Sequence, residues 1–151
     1  SFLKEPVKIR FPVKELIDNL LLLFQTDLER SNILCSFSIN PVDIQIKADK
    51  EQLLQVMVNI MKNSIDALQD IPDAEINLSV YQDNKIIIDV SDNGPGIPPG
   101  IRESIFVPFF TTKANGSGIG LSLSRQIVNK HGGDLQIYSI PYDKTTVRIR
   151  L

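Results

Sequence analysis

Helical and strand-like periodicities alternate along this chain, and that alternation leaves few architectures open. Residues 7–11 alternate as a short strand does, and Pro12 then opens a helical stretch to about Arg30, with Leu16, Leu20, Leu23 and Phe24 at spacings of three and four. Two short alternating runs follow, at 34–39 and 43–47, broken by Asn40-Pro41. Asp49 is suited to cap a long helix running to about Gln69, and Gln52 three residues on completes a box-like start. Leu53, Val56, Met57, Ile60, Ser64 and Ala67 form the expected buried stripe of that helix. Residues 76–81 and 85–90 read as a hairpin with Asp83-Asn84 at its tip. A third helix is expected from about Ile119 to His131, with Leu123, Ile127 and Val128 inward and Gly132-Gly133 as its stop. Two closing strands, 134–139 and 145–151, complete the order. It implies an α/β fold: one mixed sheet with helices on one face.

The length of 151 residues suits one domain, spanning 1–151, with a core of its own. Sixteen basic and eighteen acidic residues give a net charge of −2, which argues against nucleic acid or an acidic membrane surface as the main partner. The longest apolar run is residues 20–24, far short of the roughly 20 residues a membrane span needs. No segment has the layout of a secretory signal. The lone Cys35 has no internal disulfide partner and reads as buried filler. A cytoplasmic, reducing compartment is expected. From the abrupt start and the finish on a strand-like segment, a fragment of a longer chain is expected.

Four short blocks carry the chemistry: NIMKNSIDAL from Asn59, DNGPGI from Asp92, IFVPFFTTK from Ile105 and GSGIGLSLS from Gly116. Asp92 ends an apolar strand, where a carboxylate is a natural acceptor for the exocyclic amino group of adenine. Gly94 and Gly96 then let backbone pass close to a ring. The same residues also suit an ordinary Asp-Asn-Gly surface turn. Asn59 and Asn63 lie four apart on one helix, so both face one side. An amide oxygen there can serve as one ligand of a hard cation such as Mg²⁺, and a solvated helix edge is the competing reading. Gly116, Gly118 and Gly120 lead into a helix N-terminus, whose free amides favour phosphate. They follow a polar stretch and not a buried strand, which argues against a dinucleotide fingerprint, and no GxxxxGK[ST] phosphate loop occurs. Thr111, Thr112 and Lys113 can donate to a terminal phosphate, or be ordinary loop residues. Phe106, Phe109 and Phe110 in a stretch without clean period are those of a lid that docks on closure. His131, at the last turn of a helix, fits an imidazolium complementing the helix dipole better than a nucleophile.

In order and wording these blocks resemble the N, G1, F and G2 boxes of the catalytic and ATP-binding domain of bacterial two-component sensor histidine kinases, within the GHKL superfamily. The resemblance extends to IKADKEQLLQV, IVNKHGGDLQIYS and TTVRIRL, and so covers nearly the whole chain from about Phe11. It implies the Bergerat fold, a two-layer α/β sandwich of about five mixed strands against three helices, with an ATP lid. It also implies ATP and Mg²⁺ as cofactors. Carried over by motif, Asp92 binds the adenine amino group, Asn63 ligates Mg²⁺, and Gly94 and Gly96 shape the adenine pocket. Gly116, Gly118, Gly120 and Leu121 cap the phosphates, Lys113 approaches the γ-phosphate, and Thr146 reaches the adenine side. Asn59, Ile97, Phe106 and Thr112 complete the implied nucleotide site, with Asn59, Asn63 and Lys113 as its catalytic members.

Within the superfamily, Asn59 separates the branches. The gyrase, MutL and chaperone ATPases carry a water-activating Glu four residues before the metal Asn, whereas an amide takes no proton at neutral pH. This favours transfer to an external nucleophile over hydrolysis. The phosphoacceptor histidine of the family lies on a separate dimerisation domain, and His131-Gly132 does not fit its motif. Implied partners are therefore that domain and a downstream response regulator, within a homodimeric parent that has no nucleic-acid role and no membrane contact through this domain. One departure is Asp66, where many relatives carry a basic residue. A MutL-like or gyrase-like ATPase and a transfer-deficient nucleotide-binding module are the competing functions.

Overall fold

A computed structural model of the chain describes residues 3–107, 120–141 and 143–151, with backbone alone at 102 and 103. In chain order the elements are β1 (Ile9–Pro12), α1 (Val13–Arg30), β2 (Leu34–Asn40), β3 (Gln45–Ala48), α2 (Lys50–Ala67), β4 (Glu75–Asp83) and β5 (Lys85–Asp92). A 3₁₀ turn at Pro99–Ser104, α3 (Gly120–Lys130), β6 (Asp134–Ile140) and β7 (Lys144–Arg150) follow.

Local chemistry sets most boundaries. Pro12 is the cap of α1 rather than its first helical residue: its ψ of 133° is extended, because Pro12 still pairs with Gln45 at the end of β1. Asp49 caps α2 as expected, its carboxylate accepting the Gln52 N–H at 3.1 Å. The helix stops at Ala67, short of Gln69, and the chain turns through left-handed Asp70 and Asp73, residue types that tolerate that region.

Five strands form a mixed sheet in the order β2-β4-β5-β7-β6, parallel only between β2 and β4. The expected single sheet is corrected in one respect, since β1 and β3 pair with each other in a separate two-stranded sheet. Their strands are four residues long and join directly to α1 and α2, so Phe11 and Ile46 turn into the core beneath those helices.

One face of the large sheet meets the three helices. Ile76, Leu78 and Val80 of β4, Ile88 and Val90 of β5, and Val147 and Ile149 of β7 alternate onto it, all buried. Leu16, Leu20 and Phe24 of α1, Leu53, Met57 and Ile60 of α2, and Ile127 and Val128 of α3 close the layer. Each such aliphatic side chain contributes about 1.5–3 kcal/mol by leaving water. Two expected core positions are not in it. Leu23 is 58% exposed, on a flank of α1 that no described element covers. Ala67 is exposed at the end of α2. On the opposite face of the sheet, Arg148 grips Asp89 through two hydrogen bonds of 2.8 and 3.0 Å. Cys35 is a free, half-buried thiol whose burial pushes its pKa to about 11, which leaves it unreactive. No helix among the described residues is long and apolar enough to cross a membrane.

Candidate functional site

Strand β5 delivers Asp92 to the end of the sheet on the helix-covered face, where it is 6% exposed. One oxygen accepts the Gly94 N–H at 3.0 Å, and the Ser64 hydroxyl of α2 also bonds to the carboxylate. Burial nevertheless dominates and pushes the Asp92 carboxyl above its ordinary value. Two such donors do not exhaust the roughly four acceptor positions of a carboxylate. Capacity therefore remains for an incoming N–H.

The loop after Asp92 is pinned on both sides. Asn93 accepts the Glu75 N–H at 2.7 Å and donates to the Asp73 carbonyl at 2.9 Å, tying the loop to the start of β4. Ser139 of β6 accepts the Ile97 N–H at 2.6 Å and donates to the Lys144 carbonyl at 3.4 Å, tying it to the β6–β7 turn. Between these pins Gly96 has φ +74°, and a Cβ there would sit 2.4 Å from the Ile140 carbonyl oxygen. Gly94 is tight in a different way: a Cβ would lie 2.9 Å from the Asp92 carboxylate and 3.3 Å from the Ala67 carbonyl. The loop thus approaches the C-terminal turn of α2 at Gly94, and the β6–β7 turn at Gly96, closely only because both positions are glycine.

Helix α2 carries the amide pair from this point toward α3. Ser64 and Ala67 mark the Asp92 end, and Asn59 lies about 7–12 Å back along the axis. Asn63 and Asn59 are both half-buried. The Asn59 Nδ2 donates to the Ser124 hydroxyl of α3 at 3.3 Å. Gly120, the first residue of α3, adjoins the same amide, with its ideal Cβ position 3.8 Å from the Asn59 Cγ. Leu121 follows, partly buried. The start of α3 therefore stands beside the Asn59 amide. Phe106, packed against the core, lies under the Arg125 guanidinium of α3 at 3.9 Å.

Asp92, Gly94, Asn63, Asn59 and Gly120 thus follow one another along α2, between the end of β5 and the start of α3, with Leu121 next in α3, while Gly96 and Ile97 are held at the end of β6. Thr112, Lys113, Gly116 and Gly118 lie outside the described residues, as do Thr111, Phe109 and Phe110. Thr146 is not brought to the site. It pairs with Ser91, and the two hydroxyls bond at 2.8 Å on the far face of the sheet. Thr145, opposite Asp92 in the register, shares the Asp92 face instead. His131 is structural, but as a neutral ring rather than an imidazolium. Its Nε2 accepts the Asp49 N–H at 3.0 Å, so the proton is on Nδ1, which donates to the Ile127 carbonyl at 2.8 Å. Asp66 is exposed on α2.

Ser64, Ser139, Ser124 and Thr145 were not among the expected site residues. Each is a small hydroxyl on the inward parity of its element, and that position is the sequence signal that identifies them. Among the described residues no three His, Cys, Asp or Glu side chains converge as a metal site. Neutral amide oxygens at a helix edge fit a Mg²⁺ ion held chiefly by phosphate and water, and do not fit an all-protein cage.

Residues 48–151 match the family described as histidine kinase-, DNA gyrase B-, and HSP90-like ATPase. The chain is 35% identical to the sensory histidine kinase/phosphatase NtrB of Rhizobium leguminosarum bv. phaseoli, over 97% of this chain and 42% of that protein. It is 44% identical to the signal transduction histidine-protein kinase AtoS of Escherichia coli K12, over 64% of this chain and 16% of that protein. Among solved structures, the catalytic domain of histidine kinase ThkA superposes with a TM-score of 0.86 at 30% identity, over 95% of this chain and 94% of that one. ThkA in complex with the response regulator protein TrrA gives a TM-score of 0.79 at 29% identity, over 95% and 41% of the two chains. The chain spans less than half the length of these curated relatives.

Proposed function

The chain belongs to the histidine kinase-, DNA gyrase B-, and HSP90-like ATPase family, and from that premise we propose that it is the ATP-binding catalytic domain of a sensor histidine kinase, passing the γ-phosphoryl group of Mg-ATP to a histidine on a separate domain. The observation that carries this reading is the buried Asp92 acceptor in line, along one edge of α2, with the Asn59–Asn63 amides and the N-terminus of α3.

In this reading the adenine amino group donates to Asp92, while Gly94 and Gly96 keep the backbone clear of the ring. Ile97 and Phe106 complete the apolar wall. Thr145, on the same face as Asp92, takes the role that the motif assigned to Thr146. Asn63 offers its amide oxygen to Mg²⁺, which when bound neutralises phosphate charge and aligns the transferring group. The N–H groups at Gly120 and Leu121 attract the phosphates. The roles of Thr112, Lys113, Gly116 and Gly118 at the phosphate end rest on the motif alone. Asn59 takes no proton, so the machinery orients a phosphoryl group without activating water at that position. That favours an external acceptor over hydrolysis.

The acceptor would be a histidine of the parent protein's dimerisation domain, and a response-regulator aspartate would receive the phosphoryl group from it. The complex of ThkA with TrrA supports a response regulator as the downstream partner. Use of ATP suits a cytoplasmic location for this domain.

The test is incubation with γ-labelled Mg-ATP and the parent's histidine-bearing domain supplied in trans. Acid-labile, base-stable label on that histidine is expected. Steady phosphate release by this domain alone, with none on histidine, would assign it to the hydrolytic branch. Nucleotide binding with neither outcome would make it a regulatory module.

A further inference from the structure

Ser124 is a fully buried hydroxyl in an apolar seam, with Ile127 and Val128 one turn further along the same face of α3. A buried hydroxyl requires a hydrogen-bonding partner, and among the described residues the Asn59 amide of α2 is one. The contact has a direction: Asn59 Nδ2 donates and Ser124 Oγ accepts, at 3.3 Å. With the nitrogen held by α3, the carbonyl end of the amide is what Asn59 presents beside Gly120, where an ideal Cβ lies 3.9 Å from Oδ1.

An amide can offer a phosphate site either of two faces. Its NH₂ donates to a phosphate oxygen, whereas its carbonyl repels that oxygen and accepts from a metal-bound water or meets the metal itself. We propose that Ser124 is a positioning residue that turns the Asn59 amide so that its oxygen faces the nucleotide site, which makes Asn59 a metal-directed group and not a phosphate donor. The inference rests on the nucleotide reading above and deepens it. Outer partners that orient a metal-facing group contribute about 10- to 100-fold to metal affinity.

The experiment measures ATP affinity by calorimetry, with Mg²⁺ and with EDTA, for the parent chain, Ser124→Ala, Ser124→Thr and Asn59→Ala. The parent is expected to bind more tightly with Mg²⁺. Ser124→Ala is expected to lose about 10-fold of that Mg²⁺-dependent gain, with metal-free affinity within about two-fold of the parent. Ser124→Thr, which keeps the hydroxyl, should retain the gain. The double variant Ser124→Ala/Asn59→Ala should lose no more than Asn59→Ala alone, because both changes act through one amide. Thermal unfolding without nucleotide checks that Ser124→Ala is folded at the assay temperature, and Ser124→Thr carries the comparison independently. Equal losses with and without metal would reduce Ser124 to a packing residue and overturn the proposal. A loss confined to the metal-free measurement would mean that the amide is turned the other way, and also overturns it. A parent chain that binds no ATP in either buffer would sink the nucleotide reading together with this one, whereas normal binding with an unchanged Mg²⁺ gain in Ser124→Ala sinks only the positioning role.

Discussion

Asp92 and Thr145 stand opposite each other on β5 and β7, on the sheet face that meets the helices. One residue along, Ser91 and Thr146 bond to each other at 2.8 Å on the far face. Because a strand repeats every two residues, neighbouring threonines have unrelated environments. Thr145→Val is expected to weaken nucleotide binding by about 0.5–1.5 kcal/mol, the usual net worth of one hydrogen bond. Thr146→Val should leave affinity unchanged and lower stability by about 1 kcal/mol through loss of the Ser91 bond. Calorimetry and denaturant melts on the two variants separate these effects, and the reverse pattern would restore Thr146 to the site.

Asp92→Asn removes the charged acceptor proposed for the base. Affinity for ATP should fall by about 1.5–3 kcal/mol, the range for hydrogen bonds to charged groups. The pH dependence follows from burial, which raises the folded-state pKa above the ordinary 3.8. Between the unfolded and folded values the native state binds more protons, so the stability attached to this group declines as pH rises through that window. The cost is fully present above the window, and Asp92→Asn removes it, so the nucleotide-free variant should be at least as stable as the parent at neutral pH. Since an amino donor favours the ionised carboxylate, affinity of the parent should fall on acidification through the raised value. The variant should lack that step.

Gly96→Ala meets two obstacles, a φ of +74° and the Ile140 carbonyl oxygen 2.4 Å from the new Cβ. A cost of about 2–4 kcal/mol is expected from strain and overpacking together. Gly100→Ala is the control, since no described residue lies within 4 Å of its Cβ position. Its effect should stay within about 0.5 kcal/mol. Equal thermal shifts in the two variants would mean that the loop is not pinned as described.

The caps of α2 and α3 converge on Asp49 and His131. The Asp49 carboxylate accepts N–H bonds from Val7 at 2.9 Å and Gln52 at 3.1 Å, and these lower its pKa. The stabilisation it adds is fully present above the unfolded value near 3.8, and disappears as pH falls through the lower folded value. Asp49→Ala should cost about 1 kcal/mol at neutral pH. His131→Ala should cost more, about 2–4 kcal/mol, because it leaves the Asp49 N–H unpaired and opens a cavity. Phosphoryl transfer per folded molecule should be unchanged in His131→Ala, and a complete loss of transfer would return that ring to the chemistry.

Signals that are local in the chain were legible before the structure. Asp49 followed by Gln52 specifies a cap within one turn, and Leu16, Leu20 and Phe24 specify a helix face. Features that depend on distant pairing were not. The pairing of β1 with β3 bridges α1 and β2, and no four-residue pattern encodes it. Leu23 matches the apolar spacing of α1, yet its burial depends on whether another element reaches that flank. The choice between Thr145 and Thr146 depends on the register of β7 against β5, where a slip of one residue exchanges the two faces. Ser139 shares the parity of Leu135 and Ile137, so a polar residue on that face marked a site, although its partner Ile97 lies 42 residues away.

The account stands on a purine nucleotide lying along α2, base at Asp92 and phosphates at the start of α3. A crystal structure of the chain with Mg²⁺ and a non-hydrolysable ATP analogue tests this most directly. It should show the adenine amino nitrogen within about 3.2 Å of the Asp92 carboxylate, the Asn63 amide oxygen on the metal and the phosphates at Gly120. An analogue bound with its base away from Asp92, or on the open face beside Asp89 and Arg148, would contradict it.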